Sequence, residues 1–397
     1  MAIGVRNVAD GDGTGRRTVP SRIPSTSPYH EPWELTAEER QAFREMAQRS
    51  RAAKIAAARG DGPPPIHPIN TPNLDVATLM PMREPTFIRA LSLFSGGGGL
   101  DLGFWRAGFE HVASYEIMEA AAATLTKAHP EWNVCGGAEG DVREVDWRQF
   151  RGQVDLVHGG PPCQPFSSAG RQRGELDDRD MWPEFVRAVT EIRPRAFVGE
   201  NVPALASSKF SEYVNDAIIT PLELGRFGYT VTPIVLHAID FGVPQIRKRI
   251  FFVGFRSRRA ATRWKPPQPR DAPTMGMREA LGLPNIGYDD LSPTIRSSLT
   301  GPRHTTSILS SVSARRKFER LEVWPNGVAS TREAAHRFVA PNGHFRLSVP
   351  DVALLQGFPD DWPWVGAAYM ALGQIGNAVP PPMAYAVAVS VAEALLR

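Results

Sequence analysis

The chain has 397 residues, of which 42% are hydrophobic and 22% charged, enough to bury a large core and to form more than one domain. Its two cysteines, Cys135 and Cys163, exclude a disulfide framework and a four-cysteine zinc site, and fit a reducing compartment. The N-terminus lacks the apolar stretch of a signal peptide, and no run approaches the roughly 20 apolar residues of a membrane span. The sequence therefore predicts a soluble, intracellular protein.

Positive charge is concentrated in one part of the chain. The net charge is only +3, yet residues 256–343 contain 15 Lys and Arg against 7 Asp and Glu. A local basic excess on an otherwise acidic body is typical of a module that contacts a phosphate backbone. On charge alone, a solvated loop region explains it equally well.

Residues 1–87 are predicted to form an N-terminal extension. Residues 1–30 are rich in Gly, Ser, Thr, Pro and Arg without periodicity, which predicts disorder. Thr36 and Glu39 form a capping-box pattern that predicts a helix over 37–59, ended by Gly60 and the prolines that follow. Residues 62–85 form a proline-rich linker. For the helix, a spacer role is favoured over a contact to DNA or to the body.

From residue 88 onwards, short apolar runs alternate with helical patterns, which predicts an α/β fold. Strands are predicted at 90–94, 111–116, 154–159, 196–200 and 249–255, and helices at 100–107, 120–128, 181–192 and 384–396. Residues 256–343 show only weak periodicity. We therefore expect a regular α/β body that is interrupted before its last helix.

The first predicted strand runs into Ser95 and four glycines, followed by a helix. Such a turn lets a nucleotide-like cofactor approach the backbone at the edge of an open sheet. It lacks the Gly-Lys-Ser/Thr of a P-loop, so an ATP site is not indicated. Glu116 ends the second strand, where it can bind ribose hydroxyls, and Asp141 is predicted at the end of a third strand, near adenine. Together the three signals favour a nucleoside cofactor.

A second group of residues indicates covalent chemistry. Cys163 follows a buried strand in a Pro-Pro-Cys-Gln loop, which is a poor core element and a suitable position for a nucleophile. Glu200 ends the next strand, so its carboxyl group is expected at the same edge. Further along, Gln245, Arg247 and Arg249 alternate along an apparent strand and should share one face, with Lys248 pointing away.

In order along the chain, these motifs resemble those of the DNA (cytosine-5)-methyltransferase family, of the bacterial type II restriction-modification kind. The matching segments are Phe94-Ser95-Gly96-x-Gly98-Gly99, Pro161-Pro162-Cys163-Gln164, Glu200-Asn201-Val202, Gln245-x-Arg247-x-Arg249, Arg346-Leu347-Ser348, Leu355-Gln356-Gly357-Phe358-Pro359 and Gly376-Asn377-Ala378-Val379-Pro380-Pro381. Each motif alone is weak, but all of them in family order make coincidence negligible. Two departures, Ser92 for a frequent acidic residue and Pro350-Asp351 for a frequent Arg-Glu, bear on local packing.

The resemblance implies a Rossmann-like fold that uses S-adenosyl-L-methionine and acts on double-stranded DNA. Catalysis would involve the Cys163 thiolate adding to C6 of a flipped-out cytosine, Glu200 at N3, Arg249 at O2 and Arg247 organising the nucleophile loop. The segment 167–180 would be the loop that closes over the base. Cofactor contacts would come from Phe94, Ser95, Gly96, Gly98, Gly99, Leu100, Glu116, Ile117, Asp141, Val142, Pro162, Asn377 and Val379. No metal is implied.

The basic segment 256–343 lies where the family carries its target-recognition domain. The domains expected are thus 1–87 as an extension, 88–255 plus 344–397 as the catalytic domain, and 256–343 as the recognition insert. Residues 303–307 are candidates for reading base edges. The candidate DNA contacts are Gln164, Ser167, Arg296, Arg303, Arg315, Arg316 and Lys317.

The resemblance further implies a monomeric bacterial protein of the cytoplasm that protects host DNA, and leaves open a cognate restriction endonuclease. Cytosine-5 methylation of RNA is a first alternative, against which the large basic insert argues. A silent, sequence-specific DNA-binding module is a second, and the intact Cys163, Glu200 and Arg249 argue against it. Amino-group methylation is disfavoured because its Asp/Asn-Pro-Pro-Tyr/Phe motif is lacking.

Overall fold

The computed structural model describes residues 68–162, 180–224, 228–297, 305–337, 340 and 343–396, together with scattered positions between 37 and 61. The described positions between 37 and 59 are helical, as predicted. Thr36 and Glu39, on which the predicted cap depends, lie outside the described residues.

A seven-stranded sheet forms the body of the protein. Its strands are β1 (Arg89–Leu93), β2 (Glu110–Glu116), β3 (Val134–Gly136), β4 (Leu156–Gly159), β5 (Ala196–Asn201), β6 (Thr230–His237) and β7 (Lys248–Phe255). They lie in the order β3-β2-β1-β4-β5-β7-β6. The first five are parallel and β7 is antiparallel to both of its neighbours. This strand order and the parallel strands confirm the predicted Rossmann-like α/β class. In such sheets, ligands bind beyond the carboxyl ends of the parallel strands.

Within the part of the chain described from residue 68 onwards, the α-helices fall between and after the strands. They are α1 (Gly99–Arg106), α2 (Glu119–Ala128), α3 (Trp182–Ile192), α4 (Ser211–Tyr213), α5 (Thr220–Glu223), α6 (Arg258–Arg263), α7 (Met277–Ala280), α8 (Val312–Arg320), α9 (Arg332–His336), α10 (Val349–Leu355), α11 (Ala368–Asn377) and α12 (Pro381–Leu396). A π-helical turn, Val214–Ile219, joins α4 to α5. The 3₁₀ turns are Val76–Leu79, Gly137–Gly140, Val142–Glu144, Trp147–Phe150, Pro203–Ala206, Ser208–Phe210 and Ala238–Phe241.

The sheet is covered on both faces. Alternate residues of β1 and β5 point to opposite sides, so Ala90 and Val198 face the cluster built with α12, while Leu91 and Phe197 face the cluster built with α3. Contact between α12 and α1 is close at Gly103, where a Cβ atom would lie 2.6 Å from the backbone nitrogen of Tyr385. Strands buried on both sides explain the continuous apolar runs in the sequence.

The segment Ala368–Leu396 is long and apolar enough to cross a membrane by length and composition. In the structure, 67% of its most apolar window is buried inside the protein. The segment comprises the two core helices α11 and α12.

A second, two-stranded parallel sheet pairs β8 (Val323–Ala329) with β9 (Phe345–Ser348). A third apolar cluster packs it against α8, α10 and α11. Arg278 is 4% exposed and donates hydrogen bonds to the carbonyl oxygens of Pro284 and Leu321. It thereby holds α7 against the turn between α8 and β8.

Asp351, one of the two sequence departures, joins three parts of the chain. Its carboxylate accepts hydrogen bonds from the backbone of Ser348 (2.8 Å), from Asn70 Nδ2 (3.0 Å) and from Arg332 Nε (2.9 Å). The residue is fully buried. Asp351 therefore completes a capping box with Ser348 and an ion pair with Arg332.

Two details of the strands differ from prediction. Strand β3 ends at Gly136, and a 3₁₀ turn separates it from Asp141, so Asp141 does not end a strand as predicted. Strand β6 was not predicted. It contains Pro233, which a strand tolerates at the edge of a sheet because no ladder hydrogen bond is needed on the outer side.

Candidate active site

The carboxyl edge of the sheet brings Glu200 and Arg249 together. Glu200 lies in β5 opposite Phe251 of the antiparallel β7, and Arg249 lies two residues before that partner. Arg249 Nε is 2.8 Å from Glu200 Oε1, and the two side chains are only 12% and 9% exposed. Burial raises the pKa of Glu200, and the charges of Arg249 and Arg247 oppose that rise.

Arg247 directly precedes β7 and hydrogen-bonds to two other segments of the chain. Its guanidinium donates to the carbonyl oxygens of Ile295 (3.2 Å), Gly376 (2.7 Å) and Ala378 (3.0 Å). The residue is 2% exposed. Arg247 thus holds the turn around Asn377 and the strand beside Glu200 in a fixed relation.

The predicted shared face of Gln245, Arg247 and Arg249 is found, although β7 begins only at Lys248. Gln245 is fully buried and donates to Gln356 Oε1 at 2.7 Å. Lys248 is exposed, as expected.

The described start of the nucleophile loop is fixed beside Glu200. Asn201 Nδ2 donates to the carbonyl oxygen of Pro161 at 3.1 Å. A methyl group at Gly160 would lie 2.9 Å from Glu200 Oε2, so glycine leaves room for the carboxylate. Cys163, Gln164, Ser167 and the predicted closing loop up to 179 lie outside the described residues.

The glycine-rich turn after β1 has the sharp geometry expected of a cofactor turn. Phe94, Gly96 and Gly98 have φ angles of 55°, 56° and 86°, and the left-handed conformation is costly for Phe94 because it carries a Cβ. At Gly99, a Cβ would be 2.2 Å from the carbonyl oxygen of Val379. The fold therefore places Gly99, in the first family motif, in direct contact with Val379, in the last one.

Glu116 closes this turn from β2. Its carboxylate accepts from the backbone amides of Gly96 and Met118, each at 2.7 Å. Burial raises its pKa, and the two amide donors oppose the rise. The next residue, Ile117, is 55% exposed and so leaves an apolar side chain at the mouth of the site.

The remaining predicted cofactor residues are placed unequally. Asp141 caps the following 3₁₀ turn through the amide of Arg143 (3.1 Å) and is paired with the Arg143 guanidinium, which lowers its pKa. Val142 is only 3% exposed. Asn377 and Pro162 are exposed, whereas Leu100, Ser95 and Val379 are buried.

Of the candidate DNA contacts, Arg296 is exposed and directly follows Ile295, whose carbonyl binds Arg247. Lys317 on α8 pairs with Asp290 at 2.8 Å, and Arg315 lies 3.7 Å from Glu319. Arg316 lies beside them on the same helix. Arg303 lies outside the described residues.

Two groups beside the glycine turn were not recognised from sequence. Trp362 Nε1 donates to the carbonyl oxygen of Gly97 at 3.2 Å. Asp101, at the start of α1, is buried and bonded to Ser114. Trp362 lies just after the Leu355–Pro359 motif, and Asp101 lies just after the glycine-rich motif. Their closeness to these motifs was the only signal in the sequence that could have identified them as residues of the site.

Comparison with known proteins agrees with this geometry. The family model for the C-5 cytosine-specific DNA methylase matches residues 88–393. The chain belongs to the C-5 cytosine-specific DNA methylase family. Among its relatives, the type II methyltransferase M.NgoMIV of Neisseria gonorrhoeae is 36% identical over 316 residues, covering 78% of this chain and 98% of that protein. M.NgoPII, from the same organism, is 31% identical over 346 residues, covering 78% and 97%.

Solved structures give the same fold. A protein described as a prophage-encoded DNA modification methyltransferase (E. coli) is 25% identical with a TM-score of 0.53, covering 78% of this chain and all of that one. The Entamoeba histolytica methyltransferase EhMeth is 15% identical with a TM-score of 0.55, covering 78% and 99%. By its family, the protein is a DNA cytosine-5 methyltransferase.

Proposed function

We propose that the enzyme transfers the methyl group of S-adenosyl-L-methionine to C5 of a cytosine flipped out of a specific double-stranded DNA sequence. The reaction proceeds through a covalent bond between Cys163 Sγ and C6 of the base. The observation that carries this proposal is the buried pair of Glu200 and Arg249, beside the Pro161 carbonyl from which the nucleophile loop departs.

The pair matches the electronic needs of the reaction. C5 of cytosine becomes nucleophilic only after a thiolate adds to C6, and that addition pushes charge onto N3 and O2. Glu200, whose pKa is raised by burial, offers a proton or a hydrogen bond to N3. Arg249 offers a fixed positive charge to O2. A low-dielectric setting strengthens both interactions.

The bonds change in a closed sequence. The Cys163 Sγ to C6 bond forms, and C5 takes the methyl group as the bond between that methyl and the cofactor sulfur breaks, which leaves S-adenosylhomocysteine. A base then removes the C5 proton, and the electron pair of the C5–H bond restores the C5–C6 double bond and expels the Cys163 thiolate. Because the base is inaccessible inside a stacked duplex, it must be extruded into the site. The segment 167–180 is proposed to close over it.

The cofactor supplies an electrophilic methyl group on a sulfonium centre. The residues at the glycine turn fit it. Glu116, fixed by the amides of Gly96 and Met118, offers a carboxylate to ribose hydroxyls. Phe94 and the exposed Ile117 would offer apolar surface to adenine. Asp141 and Val142 would bind the polar edge of adenine, and Asn377 would contact the methionine part.

Recognition of DNA is assigned to 256–343. Arg296 is exposed and directly follows Ile295, whose carbonyl oxygen binds Arg247. This position supports a contact between Arg296 and a phosphate next to the flipped base. Arg303, with Gln164 and Ser167 on the nucleophile loop, and Arg315, Arg316 and Lys317 on α8, are proposed as further contacts. Lys317 would have to exchange Asp290 for phosphate. In the cell, methylation at this site would protect host DNA from a partner endonuclease.

Trapping with 5-fluorocytosine tests the covalent step. DNA of genomic complexity is synthesised with 5-fluoro-dCTP, so that the fluorine at C5 cannot leave as a proton does and the adduct persists. A denaturation-resistant protein–DNA complex is expected only with S-adenosyl-L-methionine and intact Cys163, and Cys163→Ala is the control. Methyl transfer to ordinary DNA without any adduct would contradict the covalent route. Methylation of RNA but not of duplex DNA would overturn the substrate.

A further inference from the structure

A segment before the first strand, residues 70–86 and called the strap here, is packed into the protein. It precedes the residues that match the family model, 88–393. Its side chains Leu74, Val76 and Met80 are at most 8% exposed and belong to the apolar cluster that contains α8, β8 and α10. Burial of these side chains offsets the entropy cost of ordering the strap, which a free linker would not bear.

The first part of the strap caps the C-terminal end of α7, a helix of the recognition insert. Asn70 Nδ2 donates at 3.0 Å, Asn73 Nδ2 at 2.9 Å, and the backbone amides of Asn73 and Leu74 at 3.1 and 3.2 Å. The acceptors are the carbonyl oxygens of Glu279, Ala280 and Leu281. The last carbonyl groups of a helix lack partners within it, so the strap supplies donors that the end of α7 needs.

The glycine that follows this cap shows how closely the strap and the insert meet. Gly282 has a φ angle of +67°, and a Cβ atom there would lie 1.9 Å from the carbonyl oxygen of Thr71. Gly287 also has a positive φ angle, +79°, but a Cβ atom there would meet no described heavy atom within 4 Å. Glycine is thus required by the backbone conformation at both positions, and by the strap only at Gly282.

The strap is also bound to the proposed catalytic domain, at both of its ends. Asn70 is 8% exposed, and its Nδ2 also donates to Asp351 Oδ1 of α10 at 3.0 Å. At the other end, the backbone amide and the hydroxyl of Thr86 donate to the Gly108 carbonyl at 2.8 and 2.9 Å. Gly108 lies just after α1, the helix that begins in the glycine turn. One amide group, that of Asn70, therefore bonds to the insert and to the catalytic domain at once.

From α7 the connection continues to the proposed DNA contacts. Arg278 of α7 is 4% exposed and donates to the Leu321 carbonyl at 2.6 Å. Leu321 directly follows α8, the helix that carries Arg315, Arg316 and Lys317. A shift of α7 would therefore move α8 and its positive side chains relative to the central sheet.

We propose that the strap is a positioning element for DNA recognition, and that Asn70 is the residue through which it holds α7 and α8 at a fixed place relative to the catalytic sheet. The inference rests on the proposed assignment of DNA recognition to residues 256–343. Recognition and methyl transfer act on the same duplex, so their relative placement decides whether a bound sequence presents its cytosine to the site. Disturbing the strap should weaken productive DNA binding and lower sequence fidelity, while the cofactor site is unchanged.

Steady-state kinetics separate this role from general stabilisation. The substrates are a duplex oligonucleotide with the motif that bisulfite sequencing identifies, and a series with one base pair of that motif changed. Asn70→Leu keeps a side chain of comparable size but removes both donors. The KM for DNA should rise roughly five- to tenfold, the effect of the lost buried hydrogen bonds. The KM for S-adenosyl-L-methionine should stay unchanged, and the preference for the intact motif should fall.

The matched control lies within the strap. Asp75 is exposed, and its carboxylate accepts from the backbone amide of Ala77 inside the strap itself. Asp75→Asn keeps an acceptor at this position and leaves the bonds to α7 intact. It should therefore show the same KM for DNA and the same fidelity as the unaltered protein.

Two further variants test the inference if Asn70→Leu does not fold. Gly282→Ala disturbs the same contact from the insert, and Gly287→Ala is its reference because both carry the strain of a positive φ angle. The KM for DNA should be roughly five- to tenfold higher for Gly282→Ala than for Gly287→Ala. Asn73→Ala is the mildest change, since it removes one bond of an exposed residue, and should raise the KM for DNA roughly two- to threefold.

The possible failures are distinguishable, provided that every assay is run well below the melting temperature of each variant. If the unaltered protein methylates no duplex DNA, the proposed function fails and the inference with it. If the variants lower kcat at an unchanged KM for DNA, or raise the KM for S-adenosyl-L-methionine equally, the strap has a purely structural role and the inference is refuted. It is refuted as well, while the proposed function stands, if Asn70→Leu and Gly282→Ala match Asp75→Asn and Gly287→Ala in KM for DNA and in fidelity.

Discussion

The buried ion pair of Glu200 and Arg249 makes a quantitative prediction for Arg249→Met. The pair is 2.8 Å apart with side chains 9% and 12% exposed, so removing the guanidinium leaves a carboxylate inside the protein without its partner. Breaking a buried pair in this way costs about 3–5 kcal/mol. Urea denaturation followed by circular dichroism measures the change in the free energy of unfolding. Arg83→Met, which breaks an exposed pair with Glu393, should cost less than about 1 kcal/mol.

The loss should depend on pH in a defined direction. Burial already raises the folded-state pKa of Glu200, and Arg249 opposes that rise, so removing Arg249 raises it further. A carboxyl group whose pKa is higher in the folded state stabilises the fold at low pH and loses that effect as the pH rises through the folded pKa. The deficit of Arg249→Met should therefore be larger at pH 8 than at pH 5.

A double variant completes the measurement. Glu200→Gln combined with Arg249→Met leaves no unpaired buried charge and should recover part of the lost stability. The reasoning would be refuted if Arg249→Met and Arg83→Met were equally destabilising, or if the deficit of Arg249→Met were the same at both pH values.

Three other residues outside the Glu200 pair give separate predictions. Trp362→Phe keeps the ring but loses the hydrogen bond to Gly97, so cofactor binding measured by calorimetry should weaken by about 0.5–1.5 kcal/mol; unchanged affinity would exclude a role at the turn. Asp351→Asn should destabilise the protein by about 1–3 kcal/mol, because it removes an acceptor for the buried donors of Ser348 and Asn70, while Arg332 keeps its ion pair with Asp360; a melting temperature equal to the unaltered protein's would contradict this. His158 has a pKa lowered to about 3 by burial, so it favours unfolding as the pH falls below about 6.5; His158→Phe should reduce the loss of stability between pH 7 and 5, and an unchanged loss would count against it.

The sequence predicts those parts of the fold that depend on local pattern. The strands carrying Ser92 and Glu200 are apolar on both sides because helices cover both faces of the sheet, and such runs are visible in the sequence. The glycine turn is equally visible, because the positive φ angles at Gly96 and Gly98 select that residue. Order along the chain then places the motifs at one edge.

Contacts between distant residues could not be predicted in this way. Nothing in the local sequence shows that Asp101 meets Ser114, or that Asp351 meets Asn70 and Arg332. These pairings depend on how helices pack after the chain has folded. Strand β6 was missed for a different reason, since a proline argues against a strand unless its edge position is known.

The central claim is sequence-specific methylation of cytosine C5 through Cys163. Bisulfite sequencing tests it most directly, on DNA of genomic complexity incubated with the purified protein and S-adenosyl-L-methionine, beside Cys163→Ala. The account predicts conversion-resistant cytosines within one recurring motif, absent from the Cys163→Ala sample. A protein that binds duplex DNA yet protects no cytosine, or protection that persists in Cys163→Ala, would contradict it.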